Sequence, residues 1–280
     1  MLELMNRGGK IAVGAFAVIM LFIAGSLIYF STTSGLDSPL SVVMSSSMQH
    51  DTDESSLGTI DTGDVMIIRS PDRTDVYSYV EGTQNGYKSF GDYGSVLIYE
   101  RGDDVNPVIH RAIVWLDYDS RSGFSAPSLA NYEGKWNYNG TGNYMNMKNG
   151  TLTFEDITQS KKTVSIDLGE LKPQSGYLTM GDNPVTNNYF DQTVGIISTP
   201  VGMEDIKAVA IHEIPWMGVI KVFMTPEKKD NLKHVPNSIY SLIMLFVMVF
   251  AIIYCCDYVH NHRILKENSR ELEILREELY

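Results

Sequence analysis

Two long apolar blocks near the ends of the chain constrain its fold more than any other sequence feature. Residues 11–30 give 20 consecutive uncharged positions, and residues 239–256 give 18 more. A helix needs roughly 20 apolar residues to cross the hydrocarbon core of a membrane. The first block is also longer than the roughly 7–15 apolar residues of a cleavable signal peptide, which favours an anchor. We therefore expect transmembrane helices at residues 11–30 and 238–256, on either side of one exported domain.

The charges around these blocks indicate which side of the membrane each segment occupies. Arg7 and Lys10 precede the first block, and no Lys or Arg follows it closely. Because basic residues stay on the cytoplasmic side, residues 1–10 are expected in the cytoplasm and residues 31–237 outside it. Basic residues flank the second block on both sides, so their charge does not indicate its orientation. If the central segment is outside, a second crossing returns the tail, residues 257–280, to the cytoplasm. We expect a multi-pass protein of the cell membrane with an extracytoplasmic central domain.

The composition of the central segment limits its partners. Residues 31–237 hold 16 basic and 27 acidic residues, whereas a nucleic-acid partner would require a basic surface. The segment is long enough to bury a core without disulfides, since the two cysteines of the chain, Cys255 and Cys256, end the second block. Those cysteines either serve as apolar side chains or accept an acyl group near the cytoplasmic face. No metal-binding or phosphate-binding motif occurs, so we expect neither a metal nor a cofactor.

The central segment is typical of antiparallel β-structure. Short runs of β-branched and apolar residues alternate with Gly-Asp turns, and no convincing amphipathic helix of ten or more residues precedes the second block. Strands are expected at residues 42–44, 65–68, 95–99, 108–114, 163–166, 194–197 and 209–211. The expected fold class is therefore a mainly β exported domain between an N-terminal and a C-terminal transmembrane helix.

Two segments differ from this pattern. Residues 118–171 are expected to form an insertion, because their middle is rich in Asn, Gly and Tyr and carries Asn-x-Thr patterns at Asn139 and Asn149. Such patterns are glycosylation acceptors in exported proteins or chance matches in a surface loop. The charged tail is expected to be helical. Its leucines recur every seven residues, which indicates either one seam of a short coiled coil or a solvated helix.

Four side chains of the central segment are candidates for catalysis. Ser47 ends a serine triplet soon after the first expected strand. His110 lies within an apolar strand, where burial can tune an imidazole to act as a base. Asp182 lies in a Gly-Asp-Asn turn and Asp191 follows nine residues later, and either carboxylate could orient a histidine. Taken one at a time, each feature is more often a turn or a core residue than a site.

The order and spacing of these motifs resemble type I signal peptidases. An apolar anchor is followed by Ser-x-Ser-Met, Gly-Asp-Val-Met-Ile-Ile, Ile-His-Arg-Ala-Ile, and Gly-Asp-Asn with a later Asp. The histidine resembles the archaeal and endoplasmic-reticulum branch, since the bacterial branch has a lysine as base at that place. Residues 79–94 and 213–221 look specifically archaeal, whereas His50 stands where the family often has proline. The resemblance covers about residues 14–224.

The resemblance implies a role for each candidate side chain. Ser47 corresponds to the nucleophile, and His110 corresponds to the general base. Ser45 corresponds to the hydroxyl that helps the Ser47 N–H group bind the oxyanion. Asp191 and Asp182 compete for the carboxylate that orients the histidine. In the family the second Asp, here Asp191, is usually the stronger candidate, and Asp182 then shapes the site.

The resemblance also implies a function and a set of partners. It implies a signal-peptidase-like β fold and a membrane-bound serine endopeptidase that removes signal peptides without a cofactor. The implied partners are preproteins that carry signal peptides, the lipid bilayer and the protein-export channel. One alternative is a catalytically silent family member that binds preproteins or scaffolds a secretion complex. Another is a receptor or adhesion domain that uses the insertion at residues 118–171.

Overall fold

The structure is a computed structural model that describes residues 7–54, 58–102 and 106–277 of the 280-residue chain. The chain divides into two compact units. One unit holds most of the two long terminal helices, and the other, Phe30–Ser238, holds every strand of the described residues. The α-helices of the described residues are α1 (Arg7–Ser34), α2 (Tyr79–Asn85), α3 (Val219–Met224) and α4 (Ser238–Glu277).

The helix α1 is apolar along most of its length. Its stretch Val13–Ser34 has a mean hydropathy of 2.3 and is, among the described residues, the one helical stretch long and apolar enough to cross a bilayer. A helix suits that environment because it satisfies its backbone hydrogen bonds internally. The expected N-terminal helix that could span a membrane is therefore present.

The helix α4 contains the expected second span and most of the expected tail without a break. Several side chains of residues 239–256, and all side chains beyond residue 266, lie outside the described part of the structure. A second membrane crossing, the orientation of the chain and the leucine repeat of the tail therefore stay predictions. Cys255 and Cys256 are free thiols exposed on this helix.

The Phe30–Ser238 unit is mainly antiparallel β-structure, as the sequence predicts. Its strands, in chain order, are β1 (Leu40–Val42), β2 (Val65–Arg69), β3 (Lys88–Ser89), β4 (Asp92–Tyr93), β5 (Val96–Tyr99), β6 (Val108–Asp119), β7 (Gly123–Ser125), β8 (Trp136–Tyr138), β9 (Thr151–Ile157), β10 (Lys162–Asp167), β11 (Gly176–Met180) and β12 (Ile206–Ile214). Seven of them form one sheet in the order β1-β2-β12-β5-β6-β11, with β7 paired to the far end of β6.

The strand β5 lies at the centre of this sheet and is buried on both faces. Val96 and Ile98 pack into the hydrophobic cluster on one face, and Leu97 and Tyr99 pack into the cluster on the other. Successive strand residues point to opposite faces, so an uninterrupted apolar run requires cover on both sides. The same alternation on β6 directs His110 and Arg111 to opposite faces of the sheet.

The predicted insertion packs against the main sheet. Its predicted start at residue 118 falls inside β6, which continues through a tight turn into β7. Strands β8, β9 and β10 form a separate three-stranded antiparallel sheet. Phe154 and Ile157 of β9 share one hydrophobic cluster with Val114 of β6 and Leu178 of β11. The insertion and the main sheet therefore stabilise each other through a common core.

The strand expected at residues 42–44 overlaps β1 only at Val42, and the strand expected at residues 194–197 is wrong. Residues 194–197 form turns, because the Ile196 N–H donates to the Asp191 carbonyl at 2.9 Å and the Val194 N–H donates to the Phe190 carbonyl at 3.2 Å. These local bonds compete with strand pairing, which a short apolar pattern cannot reveal. The sequence pattern also missed β11, the strand at the end of the sheet order that pairs with β6.

Candidate active site

A cleft of about 650 Å³ brings the candidate nucleophile and base to one place. It is lined by the end of β1, the beginning of β6 and the segment that follows β1, including Ser45, Ser47 and His110. Ser47 and His110 therefore line one cleft, although 63 positions separate them in the sequence. The Ser45 and Ser47 hydroxyl oxygens lie 3.4 Å apart.

His110 is held by a buried carboxylate. Its Nδ1 atom lies 2.8 Å from both carboxyl oxygens of Asp191, and both residues are buried. A carboxylate at Nδ1 keeps the proton on that nitrogen, which leaves Nε2 with its lone pair free to act as a base. Of the two competing carboxylates, Asp191 is thus the one that contacts His110.

Further hydrogen bonds fix Asp191 itself. The Tyr99 hydroxyl donates to Asp191 Oδ2 at 2.7 Å, and the Asp191 N–H donates to the Thr179 carbonyl at 2.8 Å. Burial and the nearby Asp191 charge raise the pKa of Tyr99, so its hydroxyl stays protonated and remains a donor. Nothing in the sequence singles out Tyr99, because it reads as one more apolar residue of β5.

Asp182 contacts the Arg111 guanidinium rather than His110. The Arg111 side chain, which is fully buried, donates through Nε to Asp182 Oδ1 at 2.8 Å and through Nη2 to Oδ2. His50 Nε2 lies 3.3 Å from the same Oδ2. Burial alone would raise the pKa of Asp182, but the Arg111 charge and the His50 hydrogen bond outweigh it and lower the pKa to about 2.

Arg111 also ties the β3–β4 hairpin to this carboxylate. Its Nη1 atom donates to the carbonyls of Ser89, Tyr93 and Gly94 at 3.0, 3.1 and 2.9 Å. A guanidinium has five N–H donors in a fixed plane, so one side chain can satisfy the carboxylate and several carbonyls together. Arg111, which follows the candidate base His110 in the sequence, therefore has a structural role.

The Gly-Asp-Asn turn holds the backbone on which Ser47 lies. The Asn183 N–H donates to the Ser47 carbonyl at 3.0 Å, and the Asn183 side-chain amide donates to the Ser46 carbonyl at 2.6 Å. A Cβ atom at Gly181 would overlap the Ser47 carbonyl oxygen, so this close approach requires glycine. The structure therefore places Asp182 in the turn that supports Ser47, and Asp191 against the histidine.

No hydrogen bond joins the Ser47 hydroxyl to His110 within the described ranges. Catalytic hydrogen bonds are often long in unliganded enzymes and tighten when substrate binds. The arrangement is therefore an oriented imidazole and a hydroxyl that share one cleft, with room for a substrate between the cleft walls.

The predicted insertion supplies contacts that no sequence pattern predicts. At the tip of the β9–β10 hairpin, the Gln159 N–H donates to Asp92 Oδ2 at 2.8 Å and the Ser160 hydroxyl donates to the Asp182 carbonyl at 3.3 Å. Lys162 then reaches the loop after Asn183. No local sequence pattern could reveal these contacts, since Gln159 and Asp92 lie 67 positions apart.

Among the residues that the structure describes, no cluster of three His, Cys, Asp or Glu side chains is placed to hold a metal ion. No protein-family model, no curated protein and no solved structure matches the chain.

Proposed function

We propose that this chain is a membrane-bound serine endopeptidase that cleaves signal peptides from exported preproteins. The single observation that carries the proposal is that His110, which contacts the buried Asp191 carboxylate, lines the same cleft as Ser47. A serine hydroxyl becomes nucleophilic only when a neighbouring base takes its proton, and an oriented neutral imidazole is such a base. The motif order that resembles type I signal peptidases adds the substrate class.

Each residue has a defined step in this mechanism. His110 Nε2 takes the proton of Ser47 Oγ while that oxygen attacks the carbonyl carbon of the scissile peptide bond. Asp191 stabilises the imidazolium, and the Ser45 hydroxyl and the Ser47 N–H donate to the oxyanion. His110 then gives its proton to the departing amine, and water releases the acyl group from Ser47 by the same route. Asp182 keeps the turn beneath Ser47 in place.

The membrane part of the proposal follows from the terminal helices. Under it, α1 and α4 both cross the cell membrane, the Phe30–Ser238 unit is extracytoplasmic and the tail is cytoplasmic. Its partners are signal-peptide-bearing preproteins, the lipid bilayer and the protein-export channel. A protease that is anchored in this way meets its substrates where their apolar segments leave the bilayer.

The test is cleavage of a synthetic preprotein by the full-length protein in detergent. Ser47→Ala is expected to lower kcat by at least about 1,000-fold, and His110→Ala similarly. Asp191→Asn is expected to lower kcat by roughly 10³–10⁴-fold, because the amide favours the wrong imidazole tautomer. Ser46→Ala is the matched control, since Ser46 contributes its carbonyl rather than its hydroxyl to the described contacts. Unchanged cleavage by Ser47→Ala would end the proposal.

A second candidate function is preprotein binding without turnover. The observation that favours it is the position of the Ser47 hydroxyl, which lies within 3.4 Å of Ser45 rather than in a hydrogen bond with His110. This alternative predicts that the unmodified protein binds a signal peptide and releases it intact. The same preprotein assay separates the two functions, because only the protease converts the substrate.

A further inference from the structure

The tip of the β9–β10 hairpin makes hydrogen bonds to a loop, residues 182–188, beside the candidate active site. The Lys162 ammonium donates to the carbonyls of Pro184 and Asn187 and to the side-chain oxygen of Asn188, and its distance to the Asn187 carbonyl is 3.1 Å. An ammonium has three N–H donors, so these acceptors use all of them. Lys162 pairs in register with Ile157, which is fully buried, so the lysine extends from an anchored strand.

The same hairpin also contacts the beginning of this loop. The Ser160 hydroxyl donates to the Asp182 carbonyl, one residue before the Asn183 amide that supports Ser46 and Ser47. The hairpin therefore holds residues 182–188 at both ends. Contacts of this kind restrict a loop that would otherwise fluctuate, because loops are the least stable parts of a fold.

The residue that this loop presents to the cleft is Asn187, which lines it together with Ser47 and His110. The side-chain oxygen of Asn187 accepts a hydrogen bond from the Thr186 hydroxyl at 2.7 Å, which fixes the orientation of the amide group. The Asn187 side-chain nitrogen and the Ser47 carbonyl both lie against Gly181, where an added Cβ would overlap them. Within the described ranges, that nitrogen donates no hydrogen bond to the protein.

We propose that Lys162 is a positioning residue that presents the Asn187 amide as a hydrogen-bond donor to a backbone carbonyl of a peptide bound beside Ser47. The inference rests on the proposed function, because it takes an extended peptide as the ligand. Such a peptide brings one carbonyl acceptor per residue into the cleft, and each acceptor that leaves water needs a donor. Lys162 lies in the predicted insertion, outside the motifs, so this contact gives the insertion a part in substrate binding.

The test is a double-mutant cycle on the full-length protein in detergent, with kcat/KM for a synthetic signal-peptide substrate as the readout. Asn187→Ala and Asn187→Asp both remove the donor and are expected to lower kcat/KM by roughly 10-fold. Lys162→Met is expected to lower it by a similar or smaller factor. Because Lys162 acts through Asn187, the double variant Lys162→Met/Asn187→Ala is expected to stay within about two-fold of Asn187→Ala alone.

Two controls separate a local effect from a general loss of structure. Lys135→Met removes an exposed lysine of the same insertion, which pairs with Asp156, and is expected to leave kcat/KM and the thermal midpoint unchanged. If Lys162→Met lowers the thermal midpoint, Lys162→Gln retains an N–H donor and repeats the cycle. Unchanged kcat/KM in Asn187→Ala, or factors that multiply in the double variant, would overturn the inference.

A binding measurement distinguishes failure of this inference from failure of the proposed function. The Ser47→Ala protein is mixed with a fluorescent signal peptide, and its dissociation constant is compared with that of Ser47→Ala/Asn187→Ala by anisotropy. If the unmodified protein never cleaves but the Asn187 change weakens binding about 10-fold, only the proteolytic proposal fails. If cleavage is intact and Asn187→Ala changes neither binding nor turnover, only the inference fails.

Discussion

Two Gly-Asp turns that look alike in the sequence have opposite electrostatics in the fold. Asp64 and Asp182 each follow a glycine, and their exposed fractions are only 1% and 4%. Asp182 faces Arg111, and its pKa lies at about 2. The Asp64 carboxyl accepts hydrogen bonds from the backbone N–H groups of Trp216 at 2.9 Å and Asp61 at 2.8 Å. Burial raises the pKa of Asp64 to about 7. Burial alone therefore favours the neutral acid, and a buried cation reverses that preference.

The two turns support the Ser47 segment from different places. The Asp64 carbonyl accepts the Val43 N–H at 2.9 Å, four residues before Ser47, whereas the Asp182 turn holds Ser47 through Asn183. Asp64 also fixes the backbone of Trp216, which has a positive φ of 65°. Bulky residues rarely adopt that conformation, so the hydrogen bond from Trp216 stabilises a strained position. The Asp182 turn is thus held by an ion pair with Arg111, and the Asp64 turn is held by hydrogen bonds to a carboxyl whose pKa is raised to about 7.

Removing the cation from the Asp182 site is expected to have the largest effect. Arg111→Met leaves a buried carboxylate without its charge partner, which typically destabilises a fold by about 3–5 kcal/mol. The measurement is thermal unfolding of the full-length protein in detergent at pH 7.5, followed by circular dichroism. Lys207→Met is the matched control, since its ion pair with Glu100 is about half exposed and is worth less than about 1 kcal/mol. Equal losses in the two variants would contradict the contrast between the sites.

Neutralising Asp64 is expected to remove a loss of stability that the unmodified protein undergoes as the pH rises. Folding raises the pKa of Asp64 from 3.8 to about 7, so the folded state prefers the protonated acid. Its stabilising contribution is complete below about pH 4 and is lost as the pH rises through about 7. Asp64→Asn cannot ionise, so its free energy of unfolding relative to the unmodified protein should rise by at most about 4 kcal/mol between pH 4 and pH 8. This rise is added to a pH-independent loss, because the amide nitrogen cannot accept one of the two backbone N–H groups that bind Asp64.

Asp182→Asn, the same substitution at the other turn, should change the pH dependence of stability in the opposite direction. Folding lowers the pKa of Asp182 to about 2, so its contribution is present above about pH 4 and is lost as the pH falls towards 2. Asp182→Asn should therefore destabilise the protein at pH 8 and differ less from the unmodified protein at pH 3. Thermal midpoints of both variants across pH 3–8 provide the measurement. Two curves that shift in the same direction would show that the turns are not opposed.

The sequence predicted the strands better than it predicted which charged side chains contact one another. The β-branched runs located β2, β5, β6 and β12, and Gly63 and Gly91 of two Gly-Asp pairs lie in turns. Periodicity also placed His110 inside a buried strand. These signals are local, because side-chain alternation and turn chemistry act over a few residues.

The partners of the charged residues could not be predicted in the same way. His110 and Asp191 lie 81 positions apart, and Arg111 and Asp182 lie 71 apart. Which aspartate meets which partner depends on the register of β6 against β11, which contains an irregularity between Leu178 and Thr179. A one-residue slip would exchange the two faces of a strand and so exchange the partners of adjacent residues. The motif order narrowed the choice to two aspartates, and the strand pairing separates them.

The smallest effect is expected at His50, the second partner of Asp182. Its hydrogen bond is long, at 3.3 Å, and its side chain is 16% exposed, whereas Arg111 is fully buried and makes several shorter bonds. His50→Leu should therefore destabilise the protein by about 1 kcal/mol, clearly less than Arg111→Met. His50→Gln can keep an N–H donor and serves as the matched control in the same unfolding assay. A loss as large as that of Arg111→Met would mean that the imidazole, and not the guanidinium, holds the Asp182 carboxylate ionised.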